Sequence, residues 1–419
     1  MARTRTVTGG RDATTAVIPG KGTISIGHPK TACPSGYEWR ALSEVARLES
    51  GHTPARAKPD YWDGAIPWIS IPDATGNHGR IIFDTAQHVT EAGVANSSTR
   101  LLPVDTVCLS RTASVGYVVQ MGAEMCTSQD FVNWVCGPSL NPTYLRYILM
   151  FEQESIRRFA YGTTHQTMYY PEAKALHAML PSRPVQDSVT ELLGALDDKI
   201  AANGHLVRAA DALVSVEFAS LASRSPEIGR LTDLAEFVNG RAFTKDASGS
   251  GRVVIRIAEL NSGIGNSTVR SEAHVGSEHL AGPGDLLFAW SGSLTVHRWY
   301  RAEGIVNQHI FKVLPKNGWP TWAVHCALNE RLPHFKGVAA DRATTMGHIQ
   351  RRHLEEAIHL PQLVEIQQAS TRLDPVWRRA LAAEVESEQL ALMRDTLLPQ
   401  LMSGALRVKD AERVVEEVT

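Results

Sequence analysis

The chain repeats itself, and this limits its architecture more than any other feature. Leu42-Ser-Glu-Val-Ala-Arg-Leu returns in kind as Leu231-Thr-Asp-Leu-Ala-Glu-Phe, and Ile66-Pro-Trp-Ile-Ser-Ile as Val253-Val-Ile-Arg-Ile-Ala. Leu102-Pro-Val-Asp-Thr-Val-Cys-Leu-Ser lines up with Gly282-Pro-Gly-Asp-Leu-Leu-Phe-Ala-Trp, and Gln129-Asp-Phe with Gln308-His-Ile-Phe. Gly162-Thr-Thr-His-Gln-Thr-Met matches Ala343-Thr-Thr-Met-Gly-His-Ile, each followed by a Leu-Pro at Leu180-Pro181 or Leu360-Pro361. The offset holds at about 180 to 189 residues, so one structural plan is built twice with few insertions.

Each copy ends in a helical stretch. From about Asp187 to Ser223, Leu193, Leu196, Ile200, Val207, Ala210, Val214 and Leu221 alternate at three- and four-residue spacing, with Asn203 and Glu217 interrupting the seam. That is a coiled-coil stripe about 55 Å long at 1.5 Å per residue. A second stretch starts near Leu363 and is expected to break at Asp374-Pro375, a good N-cap and N1 pair. It resumes with Val376, Ala380, Ala383, Leu390, Leu397 and Leu401, with Ser387 and Arg394 in seam positions. Two helices with one apolar face each most simply pack on each other. The bodies of the repeats read as strand-rich, with β-branched and aromatic runs at Ile66 to Ile71, Thr106 to Leu109, Tyr117 to Val119, Val253 to Ile257 and Asp285 to Trp290.

Composition narrows the function classes. With 42 Lys and Arg against 44 Asp and Glu, the chain is no generally basic DNA-coating protein, although a local basic face stays open. Residues 37–190 carry 12 basic and 15 acidic side chains and residues 224–362 carry 16 and 13, so the second body is the more basic one. Five scattered cysteines (Cys33, Cys108, Cys126, Cys136, Cys326), never spaced Cys-x-x-Cys, read as buried thiols of a reducing compartment. No apolar run is long enough for a membrane span, and residues 1–36, basic and rich in Thr and Gly, read as a flexible extension or an over-called start.

Catalytic signatures fail one by one. Asn141-Pro-Thr-Tyr144 approaches the Asn-Pro-Pro-Tyr element of amino-methyltransferases, but its third position is Thr and no glycine-rich cofactor turn precedes it. The plainer reading is Asn141 capping a helix that begins at Pro142. Ala247-Ser-Gly-Ser-Gly251 lacks the Lys of a phosphate loop, and the 16 His residues contain no His-Glu-x-x-His. What recurs instead are small, polar loops: Ser110-Arg-Thr-Ala-Ser-Val-Gly116 with Ser291-Gly-Ser-Leu-Thr295, and Thr163 to Tyr170 with Thr344 to Arg352. Such residues serve as ordinary turn formers, yet Arg, Gln and His also read base edges and Ser, Thr and Lys grip phosphate.

The chain resembles the DNA-specificity subunit of type I restriction-modification systems over about residues 37 to 408. The resemblance rests first on Leu193-Gly-Ala-Leu-Asp-Asp-Lys-Ile200 and on Leu392-Met-Arg-Asp-Thr-Leu-Leu-Pro-Gln-Leu-Met-Ser-Gly-Ala-Leu-Arg407. Ser50-Gly-His-Thr-Pro54, Tyr61-Trp-Asp-Gly-Ala-Ile-Pro-Trp68, Trp290-Ser-Gly-Ser293, Asn307-Gln-His-Ile-Phe311 and Thr344-Thr-Met-Gly347 support it. It implies an α/β (α+β) fold with two target-recognition domains, at 37–186 and 224–362. Two long helical regions, 187–223 and 363–406, would separate them as an antiparallel coiled coil, with a tail at 407–419. It further implies a non-catalytic, cytoplasmic subunit that reads a bipartite, gapped target in double-stranded DNA, with helix length setting the gap. The subunit would dock two modification subunits that methylate adenine with S-adenosylmethionine, and two motor and nuclease subunits using ATP and Mg. No cofactor is expected in this chain. A methylation-only or fused system, or a coiled-coil adaptor whose ends bind protein, are the alternatives.

Loop position and side-chain chemistry nominate the DNA-binding residues. In the first body these are Ser110, Arg111, Thr112, Thr164, His165, Gln166 and Tyr169. In the second they are Arg241, Lys245, Trp290, Ser293, Gln308, His309, Thr345 and His348. Gln129 and Gln308 could equally be buried loop-fillers.

Overall fold

The computed structural model describes residues 17–162, 166–243, 247–340 and 347–416. It divides into two compact units, Met1–Leu196 with Met393–Thr419, and Asp197–Leu392.

In the first unit a five-stranded sheet has the order Ala46–Ser50, Phe131–Cys136, Val107–Ser110, Val118–Met121, Ile81–Ile82. Its first three pairings are antiparallel, and the edge pair Ile81–Ile82 with Val118–Met121 is parallel. Val107–Ser110 and Val118–Met121 are buried at every position, so neither shows the apolar–polar alternation of a half-exposed strand, and Ser110 and Gln120 are buried with them. Beside this sheet, Trp62–Ile69 runs parallel to Cys126–Thr127. Asn141 caps the helix Pro142–Phe151, its side chain accepting from the Thr143 and Tyr144 backbone N–H groups, so the capping reading stands.

The second unit repeats the plan with one strand fewer in its main sheet. Ala235–Asn239, Ile310–Pro315, Leu286–Ala289 and Thr295–Arg298 form the antiparallel sheet, and Arg252–Ile255 runs parallel to Gly304–Val306. The likeness reaches single atoms at two glycines. A Cβ on Gly51 would lie 2.0 Å from the Ser128 carbonyl oxygen, and one on Gly240 would lie 2.2 Å from that of Asn307. In both repeats, then, the strand end is pressed against the same turn so closely that only glycine fits.

Helix Arg183–Arg224 and helix Leu363–Met402 each run through both units. Within the second unit, Val214, Phe218, Leu221 and Ala222 share a core with Ile366, Ala369, Leu373 and Trp377. Glu217 meets Arg372 (2.8 Å) and Asn203 donates to Glu386 (2.8 Å), so rising numbers on one helix pair with falling numbers on the other: the pair is antiparallel. Asn203, 2 % exposed, is the kind of buried polar seam residue that fixes register. Arg298, on the strand Thr295–Arg298, ties this unit's sheet to both helices. It bonds Glu384 (2.6 Å) and Asp211 (3.2 Å) and lies 4.0 Å over the Trp377 ring.

Two expectations are corrected. The second long helix does not break at Asp374-Pro375: Leu373 and Trp377, buried on either side, hold the helix through the proline and outweigh one lost backbone bond. Residues 17–36 are not a flexible extension. Ile24–Ile26 pairs antiparallel with Leu176–Pro181 in a four-stranded sheet that also holds Ile18–Pro19 and Tyr37–Ala41. The Glu152 carboxylate, fully buried, accepts from the backbone N–H groups of Lys21, Gly22, Thr23 and Ile24 and from the Thr23 hydroxyl. A partner about 130 positions away leaves no mark on local composition. The tail contains the helix Val408–Glu416, on which Ala411 is buried.

Candidate nucleic-acid interface

In the first unit the loop after Val107–Ser110 is braced from inside. Ser110 is fully buried; its hydroxyl donates to the Ser114 carbonyl and accepts from the Tyr117 N–H (2.9 Å). It fastens the loop, and its nomination as a DNA contact is corrected. Arg111 donates through Nε to the Gln129 carbonyl (3.1 Å), which anchors the guanidinium at the surface. Its partial burial pulls its pKa down, opposed by Asp130 and Tyr170. The Thr112 hydroxyl donates to Asp130. Gln129, Gln166 and Tyr169 are exposed, so Gln129 is not a buried loop-filler. The Met168 N–H bonds the Arg111 carbonyl (2.9 Å), bringing the segment that carries Gln166 and Tyr169 against the arginine loop. Thr164 and His165 lie outside the described residues.

Around this group the unit places arginines that the sequence did not single out. Arg47 (3.0 Å) and Arg100 both pair with Glu49, a nearly buried carboxylate, while their own side chains stay largely exposed. Arg56 stacks 3.7 Å over the Trp62 ring. Arg47 shares a strand face with Glu49 two residues on, which is why the two meet, but the strand's burial does not alternate and gave no signal for it; Arg100 and Arg56 sit in irregular segments with no periodic signal.

The second unit gathers its nominated residues around Trp290. The indole Nε1 donates to Asn239 Oδ1 (3.0 Å), and its ring lies 5.6 Å from that of His309 and 6.4 Å from that of His348. Backbone bonds hold the same cluster: Trp290 N–H to the His309 carbonyl, Ile349 N–H to the Trp290 carbonyl, Gly292 N–H to the Gly347 carbonyl. Arg241, Ser293, Gln308 and His348 are exposed around it, so Gln308 too is no buried filler. Lys245 and Thr345 lie outside the described residues. Arg241 also lies beside His279, whose pKa is lowered first by burial and then by that charge. A cleft of about 220 Å³ opens next to the cluster, lined by Arg256, Ile257, Ala258, Asn307, His309 and Ile310. Burial would push Glu259 up, but the two-pronged pairing with Arg256 (2.6 and 3.0 Å) holds its pKa below the ordinary value and fixes the guanidinium at the cleft wall.

These surfaces offer planar amides, imidazoles, an indole face and guanidiniums, all suited to binding and to hydrogen-bond readout. Among the described residues no group of three or more His, Cys, Asp or Glu side chains is placed to hold a metal ion. Burial pushes the Cys126, Cys136 and Cys326 thiols up to about 12 and Cys108 higher still, so none of these four is a thiolate nucleophile near neutral pH.

Residues 34–207 match the family model for the type I restriction modification DNA specificity domain. The MjaIX specificity subunit of Methanocaldococcus jannaschii is 25 % identical over 169 residues, 40 % of this chain and 39 % of that protein. The EcoR124I/EcoR124II specificity subunit of Escherichia coli is 35 % identical over 80 residues, 19 % of each chain. This chain thus spans about two fifths of the first relative's length and about a fifth of the second's. The S subunit of a type I restriction-modification system from M. genitalium shares the fold, with a TM-score of 0.56 at 15 % identity over 89 % of this chain and 98 % of that one. Residues 34–207 are thus similar to a type I restriction modification DNA specificity domain, and the chain as a whole shares the fold of the S subunit from M. genitalium.

Proposed function

We propose that the chain is the DNA-reading, non-catalytic component of a type I restriction-modification complex, each repeat body reading one half of a bipartite target. The observation that carries this reading is the repeated polar surface. Arg111, Thr112, Gln129 and Tyr169 in one unit, and Arg241, Trp290, Gln308, His309 and His348 in the other, sit on matching turns of one plan. A duplicated reader suits a target with two parts. The long helices would dock two modification subunits that supply S-adenosylmethionine chemistry, with ATP- and Mg-dependent motor and nuclease subunits completing the assembly. No helix of the described residues is long and apolar enough to cross a membrane, and the chain would work in the cytoplasm on chromosomal DNA.

The test is duplex binding by the co-expressed complex across a salt series. Phosphate contacts make affinity fall steeply with salt, and Arg111→Ala is expected to relax one position of one half-site if it reads a base. A uniform loss across sequences would assign Arg111 to the phosphates. Binding that ignores both salt and sequence, with capture of protein by the globular bodies, would replace this reading with a protein-binding adaptor.

A further inference from the structure

We propose that Asn307 and His309 form a specificity-determining pair that selects an adenine in the half of the target read by the second unit. The inference rests on the DNA-reading function proposed above and names the base that this cleft takes.

The argument starts from one turn seen twice. In the first unit Ser128 to Phe131 closes by the Phe131 N–H donating to the Ser128 carbonyl (3.3 Å), and in the second Asn307 to Ile310 closes in the same way (3.1 Å). The first turn satisfies its own side chains. The Ser128 hydroxyl donates to Asp130 (3.1 Å), Asp130 also accepts from Thr112, and Gln129 accepts from Thr53. The second turn does not. Asn307 is 7 % exposed, yet its Oδ1 has no hydrogen-bond partner, and neither has the buried Nδ1 of His309. Both residues line the 220 Å³ cleft. Buried polar atoms are nearly always paired, so two orphans at one cleft, in a turn whose twin has none, point to a partner that arrives from outside.

The polarity of the orphans identifies that partner. Gln308 Nε2, which can only donate, lies 3.1 Å from His309 Nε2, so that nitrogen accepts and the ring proton sits on Nδ1. The cleft therefore offers one acceptor, Asn307 Oδ1, and one donor, His309 Nδ1–H. In the major groove adenine alone presents the complement, an N6 donor beside an N7 acceptor. Guanine would set O6 against Oδ1, cytosine would leave the imidazole N–H unmatched, and thymine has no donor for the amide oxygen. Both orphan atoms are covered in the free protein, and turning them outward gives up only the exposed contact between Gln308 Nε2 and His309 Nε2. The Trp290 ring beside His309 and the paired Arg256 guanidinium would frame the base.

The experiment uses the full chain co-expressed with its modification subunits and duplexes in which each target adenine is replaced, one at a time, by 7-deazaadenine. For the wild type, one adenine in one half-site is expected to lose about 10-fold or more in affinity. In H309A the native duplex binds correspondingly more weakly, and the deaza substitution at that position has no further effect, since His309 is the group that meets N7. N307D is isosteric and keeps the turn's shape, so the test does not depend on H309A folding well. As an acceptor-only group it still meets the N6 donor and is expected to keep the adenine preference and the deaza effect at that position. An H309A complex that still loses affinity on deaza substitution there, or an N307D complex that no longer prefers adenine at that position, overturns the assignment. A wild-type complex that binds target and scrambled duplexes alike would overturn the DNA-reading function itself.

Discussion

Replacing Arg298 with Ala removes the cation from a buried cluster and leaves two carboxylates facing each other. Arg298 is 3 % exposed by side chain, Glu384 18 % and Asp211 34 %. Breaking a buried pair by deleting one partner typically costs about 3–5 kcal/mol. Asp211 is a third exposed and regains hydration, so the lower end applies, about 3 kcal/mol. For a unit of this size that lowers the melting temperature by about 6–12 °C. The pH dependence follows from the carboxyls. Burial raises both Asp211 and Glu384 above the usual range, with Arg298 opposing it. A carboxyl whose pKa is higher in the fold than in the unfolded chain holds its proton more tightly there, so its stabilisation fades as pH rises through the folded value. Without Arg298 both groups move further up, and the deficit is therefore largest near pH 8 and shrinks towards pH 5. Thermal and urea unfolding of wild type and R298A across that range is the assay. The triple variant Arg298→Met, Asp211→Leu, Glu384→Leu is expected to recover most of the loss, since an apolar replacement of a whole buried network is often neutral. A deficit under about 0.5 kcal/mol, or one that grows as pH falls, would refute the account.

Gly51→Ala and Gly240→Ala each drive a Cβ into backbone oxygens at 2.0 and 2.2 Å, so both variants are expected to lose stability well beyond the ordinary Gly-to-Ala change, as read by thermal melting. Glu152→Ala removes the acceptor for four backbone N–H groups, and hydrogen exchange should show protection lost at Thr23 and Ile24 while the Val107–Ser110 strand keeps its own. Thiol titration at pH 7.5 is expected to leave Cys108, Cys126 and Cys326 unlabelled until the chain unfolds, because all three are buried and protonated; fast labelling of any of them would contradict the packing.

Legibility differed by the range of the physics. The repeat and the helical stripes were readable because a fixed offset and a three-to-four spacing are local, statistical signals, and Leu193, Val214 and Leu221 are indeed buried. The run Ile66 to Ile71 read as one strand, yet the strand ends at Ile69 and a helix begins at Ile71. Ser70 with Asp73 three residues on is a capping box that announces the helix, but the β-branched run outweighed it. Loop chemistry placed Arg111 and Trp290 at the surface turns and could not foresee that the Ser110 hydroxyl is spent on its own loop. His309 was nominated from its loop, but Asn307 and the corner the two make were not. Both residues were visible in Asn307-Gln-His-Ile-Phe311, but that they lack partners where the twin turn has them is a fact of three-dimensional packing.

The central claim is that this chain reads a two-part DNA sequence. Mapping methylated adenines genome-wide in the source cell, with and without the chain, tests it most directly. The account predicts a bipartite motif with a fixed unread gap that disappears when the chain is deleted. A continuous motif, or a gapped one that persists without the chain, would contradict it.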